Sequence, residues 1–494
     1  MNNKKNFISA LILQIITMIS GLILPRFIIS TLGSEINGLC SSITQFLSFI
    51  TLLEGGLGAV ILAELYRPIE NDDIQSICSI LYSCHRFFRK LAMVFLVYTV
   101  VLSLVYPVYW AGDFDFFFTM SLIWILSITT IVQYLFSITN KLLLQACQKI
   151  YIVNCVTAIT IILNLILSIC VIYIYPEIHI IKIVAALVFL IQPILYQRFV
   201  DKKYSFRNVK FKKDKKYVIK NRWSGFAQNL AYFVNMNTDV AVLTIFMSLS
   251  DVSVYTIYML PVVALRAIII SLTNSYQSAL GKYYAEGNQK ELKRKFNQFE
   301  KAFWLLGMIL FSVCLLMINA FVTLYTKGVD DANYWQPIFA LIIVIANMVY
   351  CIREPYRLLV LAAGKFKETN FGSMFEAVMN LLISIMLVNQ FGLLGVAIGT
   401  LVAIIYRLVY FIIFLKRNIL YIKYKKYMHL IFTLLIVLCI NIFLYFNYPL
   451  MITSYFIFII YGVIITISET ILILVIYKMM YRVCNTLFGK RGAV

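Results

Sequence analysis

Long apolar stretches alternate with short polar or basic segments along almost the whole chain. A helix that spans a bilayer needs about 20 mainly apolar residues. Fourteen stretches have a suitable length and composition: 6–30, 36–63, 89–110, 115–138, 152–175, 179–198, 224–248, 252–279, 302–325, 334–362, 368–388, 392–415, 428–447 and 453–478. We therefore predict an all-α polytopic membrane protein with about 14 transmembrane helices.

The composition agrees with a lipid environment. Of the 494 residues, 62% are hydrophobic and 13% are charged, whereas a soluble domain is about half apolar and about a quarter charged. A net charge of +21 would suggest nucleic-acid binding in a soluble protein. In a membrane protein it indicates basic cytoplasmic loops beside anionic lipid, so we expect membrane lipids as partners and no nucleic acid.

The basic residues lie almost entirely on one side of the predicted topology. The two termini and the loops on their side carry 36 of the 43 Lys and Arg residues, and the opposite side carries only Lys182 and Lys327. This asymmetry predicts that both termini are cytoplasmic. Residues 72–90 have apolar side chains at helical spacing between charges, which predicts a separate interfacial helix on the cytoplasmic leaflet.

Two segments that lie 216 residues apart resemble each other. KLLLQACQKIYIVNCVTAITIILNLILSI begins at Lys141, and RLLVLAAGKFKETNFGSMFEAVMNLLISI begins at Arg357. The identical positions include polar ones: Lys149 and Lys365, Asn154 and Asn370, Asn164 and Asn380, and Ser168 and Ser384. The copies are six predicted helices apart. Because this number is even, both copies have the same orientation in the membrane, so the repeat is parallel, as in some transporters.

The repeat predicts four parts of the chain. These are an N-terminal six-helix lobe at 1–200, a basic cytoplasmic linker at 201–223, a C-terminal six-helix lobe at 224–420, and two additional transmembrane helices with a cytoplasmic tail at 421–494. Two lobes around a central cavity can open alternately by rocking, an arrangement that a channel or a membrane enzyme does not need.

Arginine side chains inside the spans are candidates for substrate binding, because intramembrane charges face a cavity or a partner. Clustered guanidinium groups suit a multidentate anion such as a phosphate. The candidates are Arg266, Arg353, Arg357, Arg407 and Arg26. The alternative is internal ion pairing with the carboxylates of the spans, namely Glu54, Asp239, Glu354, Glu376 and Glu469.

The predicted seventh helix is the most polar span. It contains Asn235 and Asp239, which are four residues apart and share a helix face. A carboxylate beside amides suits a cation or a proton, whereas the alternative is a hydrogen-bonded patch that joins helices. Glu54, in the sequence EGGLG, is a second ion-coupling candidate. No catalytic, cofactor-binding or metal-ligand motif is present, so we expect no cofactor, no metal site and no enzymatic activity.

Several segments resemble the Wzx-type polysaccharide-unit flippases of the multidrug/oligosaccharidyl-lipid/polysaccharide (MOP) superfamily, which includes the MATE drug exporters and lipid II flippases. They are LPRFIISTLGSEINGL, FITLLEGGLGAVILAELYRPI, LLLQACQKIYI and YRLLVLAAGKFKETN. The resemblance implies a MATE-like fold in a bacterial inner (plasma) membrane. It also implies a substrate, an oligosaccharide linked to undecaprenyl diphosphate that crosses from the cytoplasmic to the outer leaflet. Polysaccharide polymerase or export proteins, and Na⁺ or H⁺ as a coupling ion, are the implied partners.

Three other functions remain open. A MATE-type drug/cation antiporter predicts an acidic site for cationic substrates, whereas the intramembrane charges lean towards arginine. A membrane enzyme that polymerises saccharides predicts a sizeable outer loop, and the predicted outer loops are short. A structural scaffold predicts that substitution of the intramembrane arginines has no effect.

Overall fold

A computed structural model describes residues 2–54, 57–203, 226–274, 276–365, 367–421, 428–450 and 452–489. Within these ranges the chain forms helices joined by short turns, with no β-strand, which confirms the all-α prediction. Inside a bilayer no water is present to satisfy the backbone. A helix satisfies its own N–H and C=O groups, so long apolar segments fold in this way.

The helices of the first part of the chain are α1 (Asn2–Leu32), α2 (Ser34–Ser48), α3 (Thr51–Glu54), α4 (Leu57–Glu70), α5 (Ile74–Tyr109), α6 (Phe116–Val132), α7 (Ile138–Ala146), α8 (Ile150–Ile174) and α9 (Ile178–Lys203). A π-helical turn, Gln133–Ser137, joins α6 to α7.

The helices of the second part are α10 (Phe226–Phe246), α11 (Leu249–Asn274), α12 (Gln277–Ala285), α13 (Gln289–Tyr325), α14 (Pro337–Ala362), α15 (Asn370–Phe391), α16 (Leu393–Leu415), α17 (Met428–Asn447) and α18 (Tyr455–Gly489). A second π-helical turn, Lys416–Leu420, follows α16.

Thirteen helical segments of the described chain are long and apolar enough to cross a membrane. They overlap every predicted span except 224–248, where α10 contributes a shorter apolar stretch, Asn237–Phe246. The protein is therefore a multi-pass membrane protein.

The prediction of a separate interfacial helix at 72–90 is wrong, because α5 runs without a break from Ile74 to Tyr109. No glycine or proline precedes Pro107 in this helix. Phe88, Leu91 and Phe95 are buried on one face across the predicted boundary, so the helical spacing continues from one predicted segment into the next.

The predicted span 36–63 is also wrong as a single helix. The helix α2 ends at Ser48, and α3 and α4 follow it. The hydroxyl of Ser48 donates to the carbonyl oxygen of Gln45 at 2.6 Å, a local bond of the kind that competes with the helical ladder. The two glycines at positions 55 and 56 lie outside the described residues.

The described helices form two compact units. Unit 1 comprises Met1–Phe233 and Ser248–Ser253, and unit 2 comprises Val234–Met247 and Val254–Val494. In unit 1, α1 packs on α8 and α5 packs on α6; in unit 2, α14 and α15 pack on α16, and α17 and α18 pack on α13. Most of the predicted linker, residues 204–225, lies outside the described part, and the four-part division of the chain stays a prediction.

Helix bounds in the two units correspond when residue numbers are shifted by about 216. The helix α5 (Ile74–Tyr109) corresponds to α13 (Gln289–Tyr325), and the end of α7 at Ala146 corresponds to the end of α14 at Ala362. Each of the long helices α5 and α13 begins with a side-chain cap. Asp73 accepts a hydrogen bond from the backbone N–H of Ser76, and Asn288 accepts one from that of Glu291.

Backbone conformations repeat at the same shift. Gly112 and Gly328 both have a positive φ, and so do Gln148 and Gly364. These four residues lie in the turns after corresponding helices. Gln148 is the one non-glycine residue of the four, and its uncommon positive φ at the position equivalent to Gly364 supports the predicted internal repeat.

Candidate functional site

Four of the five predicted arginines lie in unit 2 and form one connected group. Arg266 is on α11, Arg353 and Arg357 are on α14, and Arg407 is on α16. Arg26 is on α1 in unit 1, directly after Pro25. We call Arg266, Arg353, Arg357 and Arg407, together with the side chains that join them, the arginine cluster.

Glu376 on α15 joins two of these arginines. Its Oε1 accepts a hydrogen bond from Nη1 of Arg353 at 2.5 Å, and its Oε2 lies 3.4 Å from Nε of Arg407. All three side chains are buried. A single carboxylate therefore faces two buried guanidinium groups, which lowers the cost of burying each of the three charges.

Glu354 neutralises the third arginine. This side chain has no exposed surface, and Oε2 lies 2.8 Å from Nη2 of Arg357. Its Oε1 is also 3.9 Å from Nη2 of Arg353. The internal ion pairs with Glu354 and Glu376, considered from the sequence as an alternative to anion binding, are thus present. Nevertheless, four arginines face two glutamates in this cluster.

The ring of Tyr350 lies between two of the arginines. The Cζ atoms of Arg266 and Arg353 are 4.0 Å and 4.3 Å from the ring centroid. Tyr350 is buried, and cation–π contacts are stronger when they are desolvated. The ring therefore holds two like charges close together that would otherwise repel one another.

Arg266 differs from Arg353 and Arg407 in exposure. Its Nη1 donates to Oδ1 of Asn347 at 3.1 Å, and the residue is partly exposed, whereas Arg353 and Arg407 are buried. Arg357 is also partly exposed, with 24% of its side-chain surface accessible. Of the arginine cluster, Arg266 and Arg357 are therefore the members with accessible surface in this conformation.

Arg407 is held in place by the start of α15. It donates to the backbone carbonyl of Thr369 at 3.2 Å and to the hydroxyl of Ser373. Gly372 leaves room for this guanidinium group, because a Cβ atom at that position would clash with Arg407 and Tyr410. Arg407 is thus a fixed charge rather than a mobile one.

A second polar group in unit 2 surrounds the predicted ion-coupling residue Asp239 on α10. Its Oδ2 accepts hydrogen bonds from the hydroxyls of Tyr255, at 2.9 Å, and Thr400, at 3.0 Å. Asp239 is 7% exposed, and among the described residues its Oδ1 has no hydrogen-bond partner. The arrangement offers a buried carboxylate oxygen to a cation or a proton. The side chain of Asn235, its predicted companion, lies outside the described part of the structure.

Asn380 on α15 extends the Asp239 group and takes part in the repeat. The hydroxyl of Thr400 lies 3.4 Å from Oδ1 of Asn380, which also accepts a hydrogen bond from Ser384 at 3.1 Å. In unit 1 the equivalent residues make the same contact, since Ser168 donates to Oδ1 of Asn164 at 3.3 Å. The matched Asn and Ser residues that indicated the repeat in the sequence thus form the same hydrogen bond in both units.

The predicted candidate Glu54 lies in unit 1, at the end of α3. Its carboxylate interacts with the hydroxyl of Tyr134, in the π-helical turn, and with the charge of Lys141 on α7. Tyr134 and Lys141 precede Tyr350 and Arg357 by 216 residues. Both units therefore place a tyrosine and a cation at matched positions, each cation with a carboxylate partner.

Several members of these groups were not among the candidates predicted from the sequence, chiefly Tyr350, Asn347, Tyr255, Thr400, Tyr134 and Lys141. Tyr350 precedes Arg353 by three residues, a spacing that places both on one helix face, and this signal could have been used. Tyr255 and Thr400 meet Asp239 only through tertiary packing, and no local spacing reveals that contact.

No protein-family model matches the chain, and no curated protein matches its sequence. Solved structures do match its fold. A structure of the lipid II flippase MurJ, in an inward closed conformation, superposes with a TM-score of 0.68 at 14% identity and covers 97% of this chain and 98% of that chain.

Two MATE transporters are also similar. The MATE multidrug transporter DinF-BH gives a TM-score of 0.58 at 13% identity, covering 85% of this chain and 96% of that one. An inward-facing MATE family transporter of the MOP superfamily gives a TM-score of 0.53 at 16% identity, covering 82% of this chain and 96% of that one. The chain therefore has the fold that MurJ and the MATE transporters share.

Proposed function

We propose that this protein is a flippase that moves undecaprenyl-diphosphate-linked oligosaccharide repeat units from the cytoplasmic to the outer leaflet for surface polysaccharide biosynthesis. We infer a Wzx-type protein of a bacterial inner (plasma) membrane, with both termini in the cytoplasm and with ion-coupled alternating access. The 36-to-2 distribution of basic residues supports this orientation.

The arginine cluster is the observation that carries the proposal. It holds four guanidinium groups on membrane-spanning helices, against two glutamates and the carboxylate of Asp239, whose charge interacts with that of Arg266. A diphosphate is a multidentate anion, and guanidinium groups bind such anions through paired hydrogen bonds. In a low-dielectric interior this excess of positive charge favours an anionic headgroup over a cationic drug.

Each arginine has a separate proposed role. Arg266 and Arg357, which are partly exposed, would contact the diphosphate first. Arg353 and Arg407, both bound to Glu376, would fix the position of the cluster and maintain its charge. Arg26, in unit 1, stays a candidate for the diphosphate or the sugar.

The likeness to MurJ over its full length supports a flippase rather than a drug exporter. The MurJ match leaves out 3% of the 494 residues, about 15 residues. This number is smaller than either α17, with 20 residues, or α18, with 35, so both C-terminal helices are at least partly matched. The two MATE structures leave 15% and 18% of the chain unmatched.

The coupling ion in this proposal binds at Asp239, where a buried carboxylate oxygen has no partner among the described residues. Asn235 and Glu54 are further candidates. The Asp239 group lies in the same unit as the arginine cluster, and Asn380 and Glu376 are both on α15. A cation or proton at Asp239 can therefore influence the arginine cluster through one helix.

The alternative is a MATE-type drug/cation antiporter, which the MATE structures favour. Such a protein would use Asp239 or Glu54 to bind a cationic substrate in exchange for Na⁺ or H⁺. The flippase has an anionic substrate, whereas the antiporter has a cationic one. Neutralising Arg266 should therefore impair transport by a flippase but not by an antiporter.

The test is the position of the lipid-linked oligosaccharide in a strain that lacks the protein. We expect it to accumulate on the cytoplasmic leaflet while the surface polymer disappears, and the extracted lipid would also identify the sugar. A normal distribution between leaflets, in a strain without a second flippase, would contradict the proposal. Cationic-dye efflux assays on the same strain would then test the antiporter.

A further inference from the structure

The two C-terminal helices contain a buried carboxylate away from both groups described above. Glu469 on α18 is 3% exposed, and Asn441 on α17 and Ser312 on α13 are also buried. The side-chain nitrogen of Asn441 donates to Oε2 of Glu469 and to Oγ of Ser312, each at 3.1 Å. The side-chain amide on α17 therefore joins polar atoms of α13 and α18 within unit 2.

This carboxylate lacks a positive partner. No Lys, Arg or His side chain of the described residues forms an ion pair with Glu469, whereas Glu354 and Glu376 each face two arginines. An uncompensated charge inside a spanning helix is costly. A neutralising ion at this point would remove that cost.

The side-chain amide of Asn441 can also supply an oxygen ligand. Its Oδ1 is buried and has no hydrogen-bond partner among the described residues. The oxygen and nitrogen of a side-chain amide are nearly isosteric, so their assignment follows from the surrounding partners. Reversing this amide would place Oδ1 beside Glu469 and Ser312. Oδ1 would then lie about 3.1 Å from Oε2 of Glu469 and from Oγ of Ser312, a separation suited to ligands of one cation.

We propose that Glu469, Asn441 and Ser312 form a binding site for a monovalent cation, Na⁺ in the first instance. The site supplies one formal negative charge, which a monovalent ion neutralises, whereas a divalent ion would leave a positive charge in an apolar surrounding. Because the three ligands come from α13, α17 and α18, the bound ion would fasten the two C-terminal helices to unit 2. This site is separate from Asp239 and does not rest on the flippase proposal.

The test is direct binding of radioactive Na⁺ to the purified full-length protein at pH 8, in a choline background, by scintillation proximity. We expect Glu469→Gln to remove one bound Na⁺ per protein. The matched control is Asp239→Asn, which should leave that ion in place whether or not Asp239 binds Na⁺ itself. Loss of Na⁺ only in Asp239→Asn would overturn this proposal and leave the coupling-ion proposal intact.

A second variant guards against loss of folding in Glu469→Gln. Ser312→Ala keeps the carboxylate, and removal of one ligand should weaken Na⁺ binding about tenfold, whereas a purely structural hydroxyl would leave the affinity unchanged. Dicyclohexylcarbodiimide, which modifies protonated carboxyl groups, gives an independent readout. We expect Na⁺ to protect Glu469 from this reagent. Equal labelling with and without Na⁺ would show that Glu469 carries a proton instead of binding a cation, and would overturn the proposal.

Discussion

Arg353 and Glu376 form a buried ion pair between α14 and α15, with 4% and 7% of their side-chain surfaces exposed. The same glutamate faces Arg407 on α16. The three helices that pack most closely in unit 2 are thus joined by one carboxylate. The pair also fixes where the positive charge of the arginine cluster lies, because Arg353 reaches Arg266 through the ring of Tyr350.

Removing the carboxylate should therefore destabilise the protein strongly. Glu376→Gln leaves Arg407 without its carboxylate partner and Arg353 with only the more distant Glu354, and breaking a buried pair costs about 3–5 kcal/mol. We expect a large fall in the amount of monodisperse protein after mild heating, measured by fluorescence-detected gel filtration.

Glu368→Gln is the matched control. Glu368 pairs with Lys365 at the surface, where the hydrogen bond raises the pKa of the lysine, and exposed pairs contribute little to stability. Equal behaviour of the two variants would contradict the role assigned to Glu376.

Arg266 and Arg353 should respond differently to alanine. From the sequence alone, we expect both Arg266→Ala and Arg353→Ala to abolish export without changing the protein level. The structure alters the second expectation, since Arg353→Ala would remove the closer of the two guanidinium partners of the buried Glu376. We now predict normal level without export for Arg266→Ala, and loss of both for Arg353→Ala, measured by immunoblot and surface-polymer staining.

Lysine at position 266 should restore only part of export, because it keeps the charge but loses the bidentate geometry. Wild-type surface polymer in Arg266→Ala cells with normal protein level would contradict the assignment of Arg266 to the diphosphate.

Tyr350 should act through its ring. Tyr350→Leu removes both cation–π contacts, each worth about 0.5–2 kcal/mol, and leaves two guanidinium groups in mutual repulsion. Tyr350→Phe keeps the ring and should retain most of the wild-type export and thermal stability. The comparison is a melting curve and an export assay for both variants. If Leu and Phe behave alike, the ring does not organise the cluster.

The sequence predicted the spans, the repeat and the arginines because each leaves a local pattern. Apolar length marks a span, loop charge marks a side of the membrane, and arginines inside spans are rare. The pairing of Arg407 with Glu376 has no such pattern, since the two residues are 31 positions apart on different helices. The continuity of α5 escaped prediction for another reason: its charged and apolar halves suggest different environments although the helical spacing never changes.

Neutralising Asp239 should uncouple transport from its ion. Asp239→Asn keeps an acceptor for the hydroxyls of Tyr255 and Thr400 and removes the negative charge. We expect the fold to persist while transport into vesicles loses its response to an imposed Na⁺ or H⁺ gradient. Asp113→Asn, at an exposed position, is the control. A gradient response that survives in Asp239→Asn would move the coupling site to Glu54.

The turn after α14 provides a test of the repeat that is independent of transport. Gly364 has φ 68°, and a Cβ atom there would meet nothing within 4 Å, so only the backbone opposes a side chain. Gly364→Ala should therefore destabilise the protein by about 1–2 kcal/mol. Gly21→Ala is the matched control, since it also has free space but lies within α1, where alanine is favoured by about 0.5–1 kcal/mol.

The repeat-related residue in unit 1 should respond in the opposite direction. Gln148 adopts φ 59°, which a non-glycine residue does at a cost, and its backbone carbonyl accepts a hydrogen bond from Asn6 that a glycine would retain. Gln148→Gly should therefore leave the melting temperature unchanged or raise it, whereas Gly364→Ala should lower it. Destabilisation by both substitutions would show that the two turns have different requirements, and would remove this part of the support for the repeat.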